Sequence, residues 1–154
     1  MQRMCRAVES APPMVRSVPD AACVDTDTRN DIGPSGTPPT VLVVEDEEGV
    51  RAPIVRALRR QGFVVLEAAH GAAALERYHA HGEPIDLLLT DVRMPHLDGR
   101  ELARTLRHDL PQLRVLFMTG YSDQAILAQD PTTTRVIEKP FPIARLLEVL
   151  RTLV

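Results

Sequence analysis

The chain has 154 residues, 44% of them hydrophobic, with 18 basic and 21 acidic side chains and a formal charge of −3. That length supports one domain able to bury its own core, and the mixed, faintly acidic balance argues against the clustered basic surface of a nucleic-acid binder. No window approaches the roughly 18 apolar residues of a membrane span, the start MQRMCRAVESAPPMVRSV lacks the apolar core of a secretory signal, and Cys5 and Cys23 stand outside any zinc or disulfide spacing. A cytoplasmic protein is expected, with neither membrane nor nucleic acid as a partner.

Residues 1–39 hold six of the 13 prolines and sustain no hydrophobic period. Such a segment cannot bury enough apolar surface to offset its conformational entropy, which predicts a disordered leader or linker ahead of a domain over 40–154. Val41-Leu42-Val43-Val44 is a β-branched and aliphatic run ending in acids, the pattern of a strand covered on both faces. Val50, Ile54, Val55 and Leu58 recur at helical spacing, closed by Gly62 at a C′ position. Pro53 costs little if this helix begins near Val50 and kinks it if the start is earlier. A second strand is expected at Phe63–Leu66 and a second helix at Gly71–His81. The third strand is Ile85–Thr90, followed by Asp91, and the third helix is Gly99–His108, capped by Asp98. Leu113–Met118 reads as a fourth strand, Ser122–Ala128 as a short helix broken at Asp130-Pro131, Arg135–Glu138 as a fifth strand, and Ile143–Val154 as a last amphipathic helix.

Five strands alternating with five helices imply βαβ crossovers and a doubly wound parallel sheet with helices on both faces. In such sheets the ligand site lies beyond the carboxyl ends of the strands, where strand order reverses. Those ends carry Glu45, Asp46 and Glu47 after the first strand, Asp91 after the third, Thr119 after the fourth and Lys139-Pro140 after the fifth. Converging carboxylates repel one another unless a cation sits among them. An oxygen-only donor set without His or Cys suits a hard ion, Mg²⁺ in particular. A hydroxyl and an ammonium across from it would face an anion, which together make a cradle for phosphoryl transfer. An Asp carboxylate can itself be the nucleophile, giving an acyl phosphate.

With these residues in place, the chain resembles the receiver domains of two-component response regulators, a flavodoxin-like fold. The resemblance rests on Glu45-Asp46 after VLVV, the block Asp91-Val92-Arg93-Met94-Pro95-His96-Leu97-Asp98-Gly99, Thr119-Gly120 after VLFM, and Lys139-Pro140-Phe141, and it runs from about Thr40 to Val154. It implies that Asp91 accepts a phosphoryl group from a partner histidine kinase or phosphotransfer protein. Asp46 and Asp91 are implied as direct Mg²⁺ ligands, Glu45 as one acting through water, and the backbone carbonyl of Arg93 as the last protein ligand. Thr119 is implied to hydrogen-bond a phosphoryl oxygen, Lys139 to pair first with Asp91 and then with the phosphoryl group, and Lys139-Pro140 to be cis. A receiver of this kind is a signalling module and not an enzyme. It acts on a downstream protein or on a second copy through the face built by the last helices and strand.

Two departures fall on that face. The family usually carries an aromatic three residues before the lysine, where this chain has Val136, which implies weaker coupling between phosphorylation and partner binding; Tyr121 borders the site as a substitute. The stretch from Thr119 to Lys139 is short for the family, which implies a truncated or irregular fourth helix. Glu47 and Glu48 are read as first-turn acids complementing a helix dipole. The five histidines are read as solvated, and Arg51 and Arg93 as either solvated charges or groups that steer a kinase or slow water attack. An Asp-nucleophile phosphatase of the haloacid-dehalogenase type needs a second Asp where Arg93 stands. A flavodoxin-like cofactor binder is opposed by the acids after the first strand, and a P-loop NTPase by the lack of GK[ST]. No output domain is recognised after the last helix, which is read as a stand-alone receiver, with the C-terminal receiver of a hybrid sensor kinase as the alternative.

Overall fold

The computed structural model describes residues 37–120 and 133–154. Within them five short strands alternate with four helices: β1 Thr40–Val44, α1 Glu48–Arg60, β2 Val64–Ala68, α2 Gly71–His81, β3 Leu87–Asp91, α3 Gly99–Asp109, β4 Arg114–Thr119, β5 Thr134–Glu138 and α4 Ile143–Arg151. The strands form one parallel sheet in the order β2-β1-β3-β4-β5. Strand order therefore reverses between β1 and β3, the place where open α/β sheets hold their ligands. Residues 1–36, the short helix expected over Ser122–Ala128, and Tyr121 lie outside the described residues.

The alternation of β1 shows why a continuous apolar run was required. Leu42 and Val44 enter one core cluster with Ala74 of α2 and Leu102 and Leu106 of α3. Val41 and Val43 enter the other, with Ile54 and Leu58 of α1 and Leu146 and Leu150 of α4. These four apolar side chains of β1 are fully buried, as are Leu87, Leu88 and Leu89 of β3. A strand covered on both faces has no solvent side for a polar residue, so the charged residues wait for its end. No helix of the described residues is long and apolar enough to cross a membrane.

Element boundaries move by one to three residues from those read in the sequence, the largest shift being the last helix, which ends at Arg151 and not Val154. The strands β2, β3 and β4 each begin one or two positions later, because ladder pairing and not hydrophobicity sets their limits. Val41 pairs with Leu87, so Ile85 is buried yet precedes the strand. α1 starts two residues before Val50, which places Pro53 inside the helix. Its ring removes the N–H that would have bonded the Gly49 carbonyl, a turn below. Gly62 follows the helix at φ +87, a left-handed position that glycine adopts without a Cβ clash.

Candidate functional site

Register brings the strand ends together. Val44 pairs with Thr90, Asp91 with Met118 and Thr119 with Glu138, so Glu45, Asp91, Thr119 and Lys139 emerge at one edge of the sheet. Carboxylate oxygens of Glu45, Asp46 and Asp91 lie within 4.8 Å of one another. Lys139 Nζ donates to Glu45 Oε2 at 2.6 Å and to Asp91 Oδ2 at 2.7 Å. The other Asp91 oxygen accepts the Arg93 main-chain N–H at 3.1 Å. Thr119 is fully buried; its hydroxyl donates to the Gly120 carbonyl at 2.9 Å, and its own carbonyl accepts from Lys139 N at 2.7 Å.

Glu45 is only 1% exposed. Burial pushes its carboxyl above the ordinary value, partly offset by the Lys139 ammonium. Burial also pulls the Lys139 ammonium down, but its hydrogen bonds to Asp91 and Glu45 outweigh this and hold it above the ordinary lysine value. Three carboxylates thus face one ammonium. The donor set is all oxygen, with Asp46 exposed and Asp91 partly so, and it fits a hard divalent cation that keeps some of its own water.

The segment after Asp91 is shaped by close backbone approach. Gly99 N donates to the Val92 carbonyl at 3.0 Å, and a Cβ at position 99 would stand 2.1 Å from the Asp91 carbonyl oxygen. Backbone cannot give way there, so glycine is required. Leu97 N bonds the Pro95 carbonyl across His96, which sits at φ +71, a tight three-residue turn. Asp98 then caps α3, accepting from Arg100 N at 2.9 Å and Glu101 N at 2.8 Å. An open groove of about 590 Å³ runs from Asp46 along residues 92–95 to Asp98 and Arg100. The Lys139-Pro140 peptide is cis.

Of the residues chosen from sequence, Glu45, Asp46, Asp91 and Lys139 come together through their side chains, while Thr119 joins Lys139 and Arg93 joins Asp91 through main-chain groups, and two contacts come in addition. The Glu45–Lys139 pair was not expected, since Glu45 reads from sequence as a ligand acting through water and Lys139 as a partner of Asp91. Arg51, read as a solvated or steering charge, donates from Nη1 to the Glu45 carbonyl at 2.7 Å. No sequence spacing signals a bond to a main-chain carbonyl. Val136 is half-buried, packs against the cluster shared with α2 and α3, and lies opposite Phe117 in the ladder. Glu47 and Glu48 occupy the N-cap and first turn of α1. Among the histidines, His70 caps α2 by accepting from Ala73 N at 3.1 Å.

The family description "Response regulator receiver domain" matches residues 41–151. The chain is 39% identical over 103 residues to the response regulator receiver protein CpdR of Brucella abortus, covering 66% of this chain and 84% of that protein. It is 40% identical over 109 residues to the sensor kinase CckA of the same organism, covering 70% of this chain but 12% of the kinase. Among solved structures, the receiver domain of the hybrid histidine kinase CckA superposes with a TM-score of 0.63 at 37% identity, over 73% of this chain and 96% of that one. TrrA of Thermotoga maritima, solved in complex with Mg²⁺-BeF, gives 0.65 at 26% identity over 75% and 99%. By its fold, its strand-end residues and these matches, the chain belongs to the response-regulator receiver family.

Proposed function

We propose that the chain is the phosphoacceptor of a two-component phosphorelay, taking a phosphoryl group onto Asp91 from the phosphohistidine of a partner kinase or phosphotransfer protein. The observation that carries this reading is the Asp91 carboxylate itself, at the end of β3, hydrogen-bonded to Lys139 and within 4.8 Å of two further carboxylates. The carboxylates of Asp46 and Asp91, Glu45 through water and the Arg93 carbonyl would hold Mg²⁺, which when bound would supply positive charge against the phosphoryl oxygens. An Asp91 oxygen forms the new O–P bond as the P–N bond of the phosphohistidine breaks, and the departing imidazole keeps the bonding electron pair and takes up a proton. Lys139 holds the Asp91 carboxylate in place through its 2.7 Å bond before the step and pairs with the phosphoryl group after it. The Thr119 hydroxyl donates to a second phosphoryl oxygen. The output is altered binding of a downstream protein or of a second copy through the face of β5 and α4, and the module acts in the cytoplasm as a signalling unit without an enzymatic output. Similarity to a receiver protein and to a sensor kinase supports both a stand-alone receiver and one carried by a hybrid kinase.

Acetyl phosphate with Mg²⁺ provides the test. Intact-protein mass spectrometry of the wild type should show the gain of one phosphoryl group, lost again at alkaline pH as an acyl phosphate is. Asp91→Asn should show no gain. Equal labelling of the Asn variant removes Asp91 from the mechanism.

A further inference from the structure

Arg51 lies on α1, six residues beyond Glu45, with its side chain only 16% exposed. Besides its bond to the Glu45 carbonyl, its Nε stands 3.9 Å from Oε2 of Glu67, near the end of the neighbouring β2. Glu67 is held in turn by Arg59 at 3.0 Å. The surroundings explain why such a clasp is needed. The N-cap of α1, Glu47, makes no side-chain capping bond. Gly49 weakens the first turn, and Pro53 leaves the Gly49 carbonyl without its helical donor. The first turn of α1 is held by the Val50 and Arg51 N–H groups on the Glu47 carbonyl, at 3.1 and 2.9 Å, with no side chain capping it, and it adjoins the two residues that bring two of the three carboxylates to the site.

The main chain of Glu45 is instead held at both polar groups. Its N–H donates to the Ala68 carbonyl at 3.2 Å, and its carbonyl accepts the charge-assisted bond from Arg51. That carbonyl belongs to the peptide leading into Asp46, so fixing it fixes where the Asp46 carboxylate leaves the chain. An arginine suits the task because its fork presents separate nitrogens to the carbonyl and to Glu67.

We infer that Arg51 is a positioning residue for divalent-cation binding, setting the Glu45 and Asp46 carboxylates against Asp91 from behind the β1–α1 junction. This rests on the cation-binding reading given above. Outer contacts that orient metal ligands change affinity by about 10- to 100-fold, so Arg51→Ala should weaken Mn²⁺ binding by about tenfold, read from the paramagnetic resonance of free Mn²⁺ with Mg²⁺ as competitor. Arg51→Lys, which keeps the charge but reaches one partner at most, should fall between, and Glu67→Gln should weaken binding less. The Mg²⁺ concentration giving half-maximal labelling by acetyl phosphate should rise by the same factor as the Mn²⁺ Kd. Wild-type affinity in Arg51→Ala overturns the inference alone. Absence of Mn²⁺ binding by the wild type overturns the cation reading and this inference with it. If the Ala variant does not fold, as judged by circular dichroism, unchanged affinity in folded Arg51→Lys and Glu67→Gln overturns the inference.

Discussion

Lys139 is the one lysine beside 17 arginines, and it occupies the one position where the geometry asks for a compact point charge. Its Nζ bridges Glu45 Oε2 and Asp91 Oδ2, 2.6 and 2.7 Å away, and one of these two carboxylates, that of Glu45, is almost fully buried. A planar guanidinium is bulkier and prefers two parallel bonds to one carboxylate, whereas the ammonium donates to both carboxylates from a single compact atom. Because the Lys139 pKa is raised, the ammonium persists through any ordinary assay pH. The stability it contributes is complete below its unfolded value near 10.5 and is lost only as pH climbs through the higher folded value. Removing a preorganised charge from such a site costs on the order of 10²-fold in rate. A misplaced guanidinium should cost as much: Lys139→Arg is expected to slow acetyl phosphate labelling by about that factor, measured as initial rate at saturating Mg²⁺. Wild-type rates in this variant would mean that charge alone, without the ammonium's compactness, is sufficient.

At the scale of elements, α3 shows how an ordinary local rule serves the site. Asp98 accepts two main-chain N–H bonds at the helix start, and Gly99 behind it lets the chain pass against the Asp91 carbonyl. The capping bond thus fixes the far end of the segment whose near end is Asp91. Burial is the largest single influence and raises the Asp98 carboxyl, but the bonds from Glu101 and Arg100 together outweigh it and the net pKa lies below the ordinary 3.8. A depressed carboxylate contributes stability above its unfolded value and loses it as pH falls through the folded one. Asp98→Ala should cost about 1 kcal/mol near neutral pH, and thermal melts should show the gap to wild type narrowing once pH drops below 3.8. A constant gap across that range would assign the cost to helix propensity and not to the charged cap. The cap was legible in Asp98, because capping is local chemistry, whereas the close approach of Gly99 to the Asp91 carbonyl was not. The start of α1 was not, because Pro53 argued for a later beginning, whereas burial of Ile54, Val55 and Leu58 supports the earlier helix despite the missing bond.

For the molecule as a whole, the site was legible because a parallel sheet converts chain order into spatial convergence. Apolar strands ending in Glu45, Asp91, Thr119 and Lys139 can meet only at the carboxyl edge. The pairing of Glu45 with Lys139, and the clasp of Arg51 on a main-chain carbonyl, could not be read, since both depend on the depth and direction of single side chains. The same convergence has a thermodynamic consequence. Three carboxylates within 4.8 Å repel one another and disfavour the folded state, and a cation bound to the folded state alone stabilises it by about 2.7 kcal/mol at a hundredfold excess over its Kd. The wild type should melt several degrees higher in Mg²⁺ than in EDTA. Asp46→Asn, which removes the most exposed of the three charges, should melt above wild type in EDTA yet gain less from Mg²⁺. Identical wild-type melts in the two buffers would show that the carboxylates do not share a cation, and an Asn variant gaining as much as wild type would remove Asp46 from the ligand set.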